Sequence, residues 1–314
     1  MAAGQAGRVF AGLALGLALA ACDMPVPDAS APAPPRGATA ADDVPSARSK
    51  ALAARYARTE RDLKARGLLR TDGGGPDTPF TDTDLMRNFE RIVFFDEYAP
   101  GAGFRSPSGR AGGLRRWAEP VRIAVEFGAS VPEEQRAADR DTLDAYAARL
   151  SRAARHPIST VRRRANFHVL VMSEDDRAEG LDRVRALAPD IDTATFGVFR
   201  NMPRSIHCLV VAFSDRGNPH TYDLAIAWVR AEHPPLMRES CFHEELAQGL
   251  GLANDSPRAR PSIFNDDDEF AHLTTHDEML LRMLYHPDLS PGMRPDEARP
   301  VLRRLLDEWQ AGPV

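Results

Sequence analysis

Lysine is nearly absent from this chain, since Lys50 and Lys64 are the two lysines among 40 basic residues and arginine supplies the others. The arginines are interspersed with acidic residues, and the formal net charge is -5. Proteins that bind nucleic acids usually present a clustered basic face. The composition therefore predicts no nucleic-acid partner, and the arginine preference is typical of a GC-rich genome.

Apolar runs long enough to cross a membrane are also missing. The uncharged run near the start, Val9 to Ala21, is shorter than the about 20 residues that a bilayer crossing needs. It follows Arg8 and ends in small residues, and this combination predicts an export signal over residues 1–21.

The end of that signal reads Leu19-Ala20-Ala21-Cys22, which resembles the lipobox of bacterial lipoproteins. The resemblance implies cleavage before Cys22, a diacylglyceryl group on its sulfur and acylation of the new amino terminus. A single acyl chain anchors only marginally, so the additional chains matter. We expect a membrane lipoprotein that faces the periplasm, in either the inner or the outer membrane. An ordinary cleaved signal, with Cys22 incidental, is the alternative.

Cysteine is scarce, and only Cys208 and Cys241 remain after the lipidation position. Two cysteines in an oxidising compartment favour a disulfide. Such a bridge would stabilise the fold by about 3 to 4 kcal/mol in the chain-entropy model. The alternative is a pair of buried free thiols.

The organisation of the chain changes three times. Residues 22–47 are rich in Ala, Pro, Asp and Ser, and this composition predicts a flexible tether behind the anchor. Residues 48–116 are interpreted as a helical extension, with one exposed helix over 48–66 and a second helix capped by Thr81 and Asp84.

The main domain is expected over residues 117–314, because strand and helix patterns alternate there. This order predicts an α/β (α+β) domain, a mixed sheet with helices packed on it. The expected strands are 121–127, 167–172, 208–213 and 224–229, and the expected helices are 132–155, 235–251, 275–285 and 295–310.

One helical segment of this domain carries the candidate site. His243 and Glu244 suggest a zinc helix, but no second histidine follows four residues later. Shifted by one residue, Glu244, Glu245, Gln248, Gly251 and Asn254 stand at the positions of HExxHxxGxxH. The segment thus resembles the zinc motif of the metzincin peptidases in spacing, with every ligand type changed.

The resemblance extends beyond the motif. Matrixin-type metzincins have a turn bearing a Met, then a helix that ends in Leu-Tyr. Here Phe264 or Ile263 stands at the Met position, and Leu284-Tyr285 ends the helix expected over 275–285. The likeness covers roughly residues 117–287 and implies a metzincin-like fold. Residues 80–300 further resemble a family of Gram-negative envelope lipoproteins known as domain of unknown function 2927, which implies no activity.

The replaced ligands argue against zinc. Zinc sites use imidazole, thiolate and carboxylate, whereas Glu244, Gln248 and Asn254 offer one carboxylate and two amides. We expect no cofactor, although such oxygen donors, with Asp255 as a further one, suit Ca²⁺ or Mg²⁺ better than zinc.

Glu245 stands where metzincins keep their general base, and Gln248 lies one turn away. A metal-free hydrolase that uses this pair is therefore conceivable. The alternative is a hydrogen-bonded polar cluster of Glu244, Glu245 and Gln248 that braces the helix.

Two other groups of polar residues are weaker candidates. His220, His233, His272 and His276 lie near expected turns and helix caps, and most of them are expected at the surface. The acidic run 265–269 lacks the Gly and the Glu of an EF-hand loop and is interpreted as a solvated turn.

The sequence leads to a main functional hypothesis and two alternatives. The favoured one is a zinc-less pseudo-metallopeptidase that serves as a binding or structural module, with an envelope protein or peptide as its unknown partner. The second is an active envelope peptidase that uses Glu245 with an unusual metal or none. The third is an architectural protein whose cleft has no role.

Overall fold

The computed structural model describes residues 44–97, 109–265 and 267–311. The expected signal over 1–21, the lipidation position Cys22 and most of the tether lie outside these ranges. Within the described part of the chain, no helix is long and apolar enough to span a bilayer.

Eight helices are formed by the described residues. They are α1 (Ala47–Ala65), α2 (Asp82–Phe94), α3 (Glu133–Ala154), α4 (Arg177–Leu187), α5 (Thr193–Arg200), α6 (Pro235–Gly249), α7 (Thr275–Leu284) and α8 (Pro295–Ala311).

Six strands of the described residues form one sheet, and these helices pack on it. They are β1 (Arg116–Trp117), β2 (Val121–Phe127), β3 (Ile158–Thr160), β4 (Phe167–Met172), β5 (Cys208–Asp215) and β6 (Asn218–Arg230). The mixed α/β class expected from the sequence is confirmed.

The sheet is parallel except for one strand. Its order is β1-β6-β4-β2-β3, all parallel, and β5 pairs with β6 in the antiparallel direction. The centre is the pairing of β4 with β6, in which Val169 lies opposite Ala227. All six residues of β4 are buried, as expected for a central parallel strand with helices on both faces.

Helices cover the two faces of the sheet unequally. On one face, α4 and α5 contribute Val184 and Phe199 to a smaller core that includes Trp228. On the other face, α2, α3, α6, α7 and α8 enclose the larger core, where Phe242 of α6 is fully buried. Helix α6 also contacts β5, which is an edge strand of the sheet.

The N-terminal helices pack on the rest of the chain. Helix α2 begins with the expected capping box between Thr81 and Asp84, and its Phe89 is fully buried in the larger core. Helix α1 was expected to be exposed, and this was wrong for one of its faces. Leu52 and Tyr56 are buried in a third cluster that includes Met237 of α6.

Candidate functional site

One face of α6 points towards solvent at the sheet edge. The helix begins after Pro234 with a proline in its first turn, which needs no backbone N–H there. Ser240, Glu244 and Gln248 follow one another at four-residue intervals and are half-buried, so they form a polar stripe along one side of the helix. The neighbouring position, Glu245, is turned inwards and is buried.

This stripe forms one side of a cleft of about 690 Å³, which we call the β5–α6 cleft. The strand β5 lies along its floor, and Thr195 and Val198 of α5 lie on the opposite side. Asp96, Glu97, Arg115 and the segment after α6 close its end. The side chains of β5 alternate between the two cores: Val210 packs on the larger one, and Leu209 and Val211 pack on the smaller one.

The free edge of β5 runs through the cleft. Among the described residues β5 pairs with β6 alone, so its second edge carries backbone groups without a neighbouring strand. The central residues of β5, Val210 to Phe213, are apolar and half-buried. Proteins normally protect an apolar edge of this kind, because it is a template for pairing with another strand.

Glu245 has an unusual environment in this cleft. Its side chain is only 3% exposed, and its Oε2 atom has no hydrogen-bond partner among the described residues. Burial raises the pKa of this carboxyl well above its ordinary value, and the nearby carboxyls of Glu244, Glu97 and Asp255 raise it further. Burial and these neighbours therefore favour the protonated form of the Glu245 carboxyl.

A disulfide lies at the base of the cleft, as expected from the sequence. Cys208, the first residue of β5, is bonded to Cys241 of α6, with the two Cα atoms 5.8 Å apart. Cys241 immediately follows Ser240 of the polar stripe. The bond therefore joins the floor of the cleft to its α6 side.

The chain turns sharply where α6 ends. Gly251 has a φ of +122°, and a Cβ atom there would lie 2.5 Å from the carbonyl oxygen of Arg115. The indole Nε1 of Trp117 donates to the carbonyl of Gly249 at 2.8 Å, and the hydroxyl of Tyr285 donates to the carbonyl of Leu250 at 2.8 Å. These two bonds pair carbonyls that a helix end leaves without partners.

The turn brings some of the expected site residues into the cleft and directs others elsewhere. Asp255 and Ile263 line the cleft with Glu244, Glu245 and Gln248. Asn254 is not among the lining residues, because its side-chain amide donates to the carbonyl of Arg91 in α2 at 3.0 Å. Phe264 is fully buried in the larger core, and the hydroxyl of Tyr285 is bonded to the end of α6 as described above.

The donors do not fit zinc, the metal that the metzincin resemblance implies. The cluster with metal-ligand spacing among the described residues is Cys208, Glu244 and Glu245, whose candidate atoms lie within 4.8 Å of one another. The sulfur of Cys208 is in the disulfide and offers no thiolate. The imidazole of His243 faces away, since its Nδ1 accepts from the backbone of Leu273. Two carboxyls alone fall short of the four ligands of a zinc site.

Comparison with known proteins gives a family but no function. Residues 82–304 match the model of a family described as a protein of unknown function, DUF2927. The chain belongs to this family. No curated protein and no solved structure matches it. The match begins with α2, so in this DUF2927 chain the second helix belongs to the same unit as the sheet.

Histidines of this DUF2927 chain are more buried than the sequence suggested. The expectation that most of the four candidate histidines lie at the surface was wrong, because His233 and His276 are 2% and 0% exposed. The Nε2 atom of His276 lies 3.1 Å from the side-chain amide of Asn88 in α2. These positions follow turns and caps in sequence, but helices α1 and α2 cover them, and the local pattern carries no sign of that.

Two polar clusters were not foreseen. His207 and His233 lie around Tyr56 beside the disulfide, and the Nδ1 of His233 is 3.7 Å from the sulfur of Cys241. On β2, Glu126 accepts hydrogen bonds from Arg183 and pairs with His168, and these partners lower its pKa to about 2 although burial opposes the shift. His207 also lines the cleft, whereas Glu126 and His168 do not.

The acidic run 265–269 is mainly a turn held by arginines. The carboxylate of Glu269 accepts from Arg70 at 3.0 Å and from Arg260 at 2.6 Å, and Asp267 is exposed. Glu269 thereby fastens the segment after α1 to the loop after α6. Asp266 lies outside the described residues.

Proposed function

We propose that this chain is an envelope lipoprotein, anchored through Cys22 and facing the periplasm, whose β5–α6 cleft binds an extended segment of another protein. In this proposal the domain is a zinc-less relative of the metzincins that has kept a peptide-sized cleft and lost the metal. It acts as a binding module.

The observation that carries the proposal is the edge of β5 that no strand of the described residues covers. An extended segment that pairs with this edge would complete the hydrogen bonds of the strand, which is the mode called β-augmentation. Helices flank the edge on both faces of the sheet, α5 on one side and α6 on the other. An added strand would therefore find a pocket for each set of its alternating side chains.

Export is supported by the disulfide between Cys208 and Cys241. Structural disulfides are rare in the reducing cytosol and common in the periplasm. The sequence start, with its short apolar run before Cys22, supports the same compartment.

The metzincin-like part of the proposal is supported by the order of elements. A mainly parallel sheet is followed by α6, a sharp turn at Gly251 and the helix α7. The residues at the zinc-ligand positions do not converge on one point, because the amide of Asn254 is bonded to α2. Asn254 thus departs from the metzincin arrangement, and the order of the elements alone supports this part of the proposal.

Methylated peptides test the proposal. An extended strand presents its amide N–H groups alternately to its two sides, so only one alternate set meets β5. Among fluorescent peptides that bind the soluble domain, methylation of one set of amides should abolish binding, and methylation of the other set should leave it intact. If both sets are equally tolerated, the segment does not pair with β5.

Matched variants locate the binding site. Gln248→Arg places a long side chain in the cleft, and Thr142→Arg places it at a half-buried position of α3 outside the lining. Only the first should weaken binding, while circular dichroism shows that both chains are folded. If the two variants bind the peptide with equal affinity, the binding site does not lie in the cleft.

A peptidase that uses Glu245 is the second candidate, because a carboxyl with a strongly raised pKa in a cleft is a recognised sign of a catalytic group. A raised pKa disfavours the carboxylate, which is the form that a general base needs. We expect no cleavage of peptide libraries by the wild-type chain. Cleavage that Glu245→Gln abolishes in a folded variant would establish the peptidase.

A further inference from the structure

The disulfide between Cys208 and Cys241 presents its two sulfurs to different surroundings. Cys208 lines the β5–α6 cleft, and its Sγ atom lies within 4.8 Å of a carboxyl oxygen of Glu245, which also lines the cleft. Cys241 does not line the cleft and is only 2% exposed. A thiol that enters the cleft therefore meets the sulfur of Cys208 first.

The sulfur of Cys241 lies against a buried imidazole. The Nδ1 atom of His233 is 3.7 Å from this sulfur, and its Nε2 atom has no hydrogen-bond partner in the part of the chain that the structure describes. A neutral imidazole carries one hydrogen, and only a hydrogen on Nδ1 has an acceptor here, namely the sulfur. Such a bond is stronger to a thiolate than to a disulfide sulfur, because the charge of the acceptor strengthens it. His233 thus favours a broken S–S bond with the charge on Cys241.

Basic groups surround the same imidazole. Burial lowers the pKa of His233 well below its ordinary value, and the basic groups of His207, Arg230 and Arg238 lower it further. Tyr56 of α1 packs edge-on against the ring at 4.4 Å and adds no charge, since burial raises its pKa. A field that opposes a proton on the ring stabilises an anion on the sulfur beside it. Nearby cations lower the pKa of cysteine thiols in this way.

Carboxyl groups offset only part of this positive charge. Asp139 accepts from Arg238 at 2.7 Å and balances its charge. Glu232 acts on Arg230, but burial raises the pKa of Glu232, which favours its uncharged form. The guanidinium of Arg230 is buried and donates to two backbone carbonyls of the segment after α5. Among the described residues, Arg230 therefore remains the main source of positive charge near His233.

We propose that the Cys208–Cys241 disulfide is a thiol–disulfide exchange centre for thiols that enter the β5–α6 cleft. The entering thiol gives its proton to the solvent, and its sulfur bonds to the Sγ atom of Cys208. The bond between the two cysteines breaks, and Cys241 leaves as a thiolate that accepts the N–H of His233. The sulfur with the lower pKa is the better leaving group, so the surroundings of Cys241 set this direction.

The electrons of this exchange balance between the two partners. The entering sulfur is oxidised to a mixed disulfide with Cys208, and the sulfur of Cys241 is reduced. A second thiol that attacks the entering sulfur releases it as a disulfide and leaves both cysteines reduced. The activity goes beyond the binding of an extended segment and does not depend on pairing with β5, because any small thiol that fits the cleft suffices.

The experiment treats residues 23–314, which include every described residue, with the small uncharged thiol 2-mercaptoethanol. After an acid quench and alkylation with N-ethylmaleimide, mass spectrometry should find the mixed disulfide on Cys208 and the alkyl group on Cys241. The rate should rise in proportion to the thiol concentration and exceed the rate of global unfolding measured in urea. An adduct on Cys241, or a rate that levels off at the unfolding rate, would overturn the inference.

The pKa of the Cys241 thiol is the second measurement. In Cys208→Ser, ultraviolet absorbance of the Cys241 thiolate should give a pKa below the about 8.5 of a free cysteine. His233→Gln should raise that pKa, and in the chain with both cysteines it should slow attack at Cys208 about 10-fold. His220→Gln, at a half-buried position outside the cleft, is the matched control and should change neither. A Cys241 pKa at or above that of a free cysteine would overturn the inference, even if His233→Gln fails to fold.

Discussion

Cys208 in β5 and Cys241 in α6 are joined by a disulfide that connects the floor of the β5–α6 cleft to its acidic side. The two residues are 33 positions apart in sequence, and the chain between them contains β6. One covalent bond thus holds together the strand that presents the free edge and the helix that presents Glu244 and Glu245.

Removal of this bond should destabilise the fold. For a loop of this length the chain-entropy model gives about 3 to 4 kcal/mol. We expect Cys208→Ala with Cys241→Ala to lower the free energy of unfolding by that amount in urea titrations. Dithiothreitol should lower the midpoint of the wild-type chain and leave that of the double variant unchanged. Two alkylatable thiols in the unreduced wild-type chain would contradict the bond.

Glu245 should make the protein less stable as the pH rises. The pKa of its carboxyl is raised in the folded state above the ordinary value of 4.5, so its contribution is complete below about pH 4.5. Above that pH the unfolded chain loses the proton first, and stability falls until the folded carboxyl also ionises. Glu245→Gln should remove this slope, so that urea midpoints of the variant exceed those of the wild type increasingly from pH 5 to pH 8. Parallel curves over this range would argue against a raised pKa.

His243 should have the opposite effect. Burial lowers its pKa well below the ordinary 6.5, so the folded protein keeps the ring neutral and its contribution is present above pH 6.5. As the pH falls, the unfolded chain takes up a proton that the folded chain does not, and stability is lost. His243→Asn keeps an acceptor for the backbone N–H of Leu273, whose bond to the ring is 2.9 Å long. Its deficit against the wild type at pH 8 should shrink by pH 5.5, as measured by thermal unfolding at both values.

Gly251 should tolerate no side chain. Its φ of +122° is essentially restricted to glycine, and a Cβ atom would lie 2.5 Å from a backbone oxygen that cannot move aside alone. Gly251→Ala is expected to cost about 3 kcal/mol or more. Gly67→Ala is the matched control, because its φ of +77° is also positive but no atom lies within 4 Å. That variant should cost about 1 kcal/mol. Equal losses in urea unfolding would show that the backbone of Arg115 yields.

A substitution at Cys22 tests the proposed lipid anchor. Cys22→Ser should leave the protein unprocessed or release it from the membrane fraction, because lipidation requires the sulfur. Fractionation of cells and the mass of the mature amino terminus measure this. A serine variant that is fully processed and still sediments with membranes would rule out the lipoprotein assignment.

The strands could be predicted from the sequence where the signal is local. Residues 121–127 and 167–172 are short apolar runs rich in β-branched residues, and the structure has these bounds for β2 and β4. Helices α4 and α5 were missed. Of the eleven residues of α4 only Gly180 and Val184 are buried, so the helix carries almost no apolar periodicity. The disulfide was predictable because two cysteines remained besides Cys22, the expected lipidation position.

The part of the candidate site that depends on local helical spacing was also predictable. The helix spacing placed Glu244 and Gln248 on one face, which the cleft shows. It also placed Asn254 at the third ligand position, but the direction of that side chain is decided by a carbonyl of α2, 163 positions earlier in the chain. The burial of Glu245 likewise depends on parts of the chain that are remote in sequence, and helical periodicity does not report it.

The segment after α1 has a consequence for how the chain reaches its fold. Arg70 forms a parallel bridge with Phe270, and its carbonyl accepts from the backbone of Ala271 at 2.8 Å. A ribosome delivers residue 70 long before residue 270, and contacts between such distant residues form slowly. The segment around Arg70 therefore cannot form this bridge until residues 270 and 271 of the 314-residue chain have been synthesised.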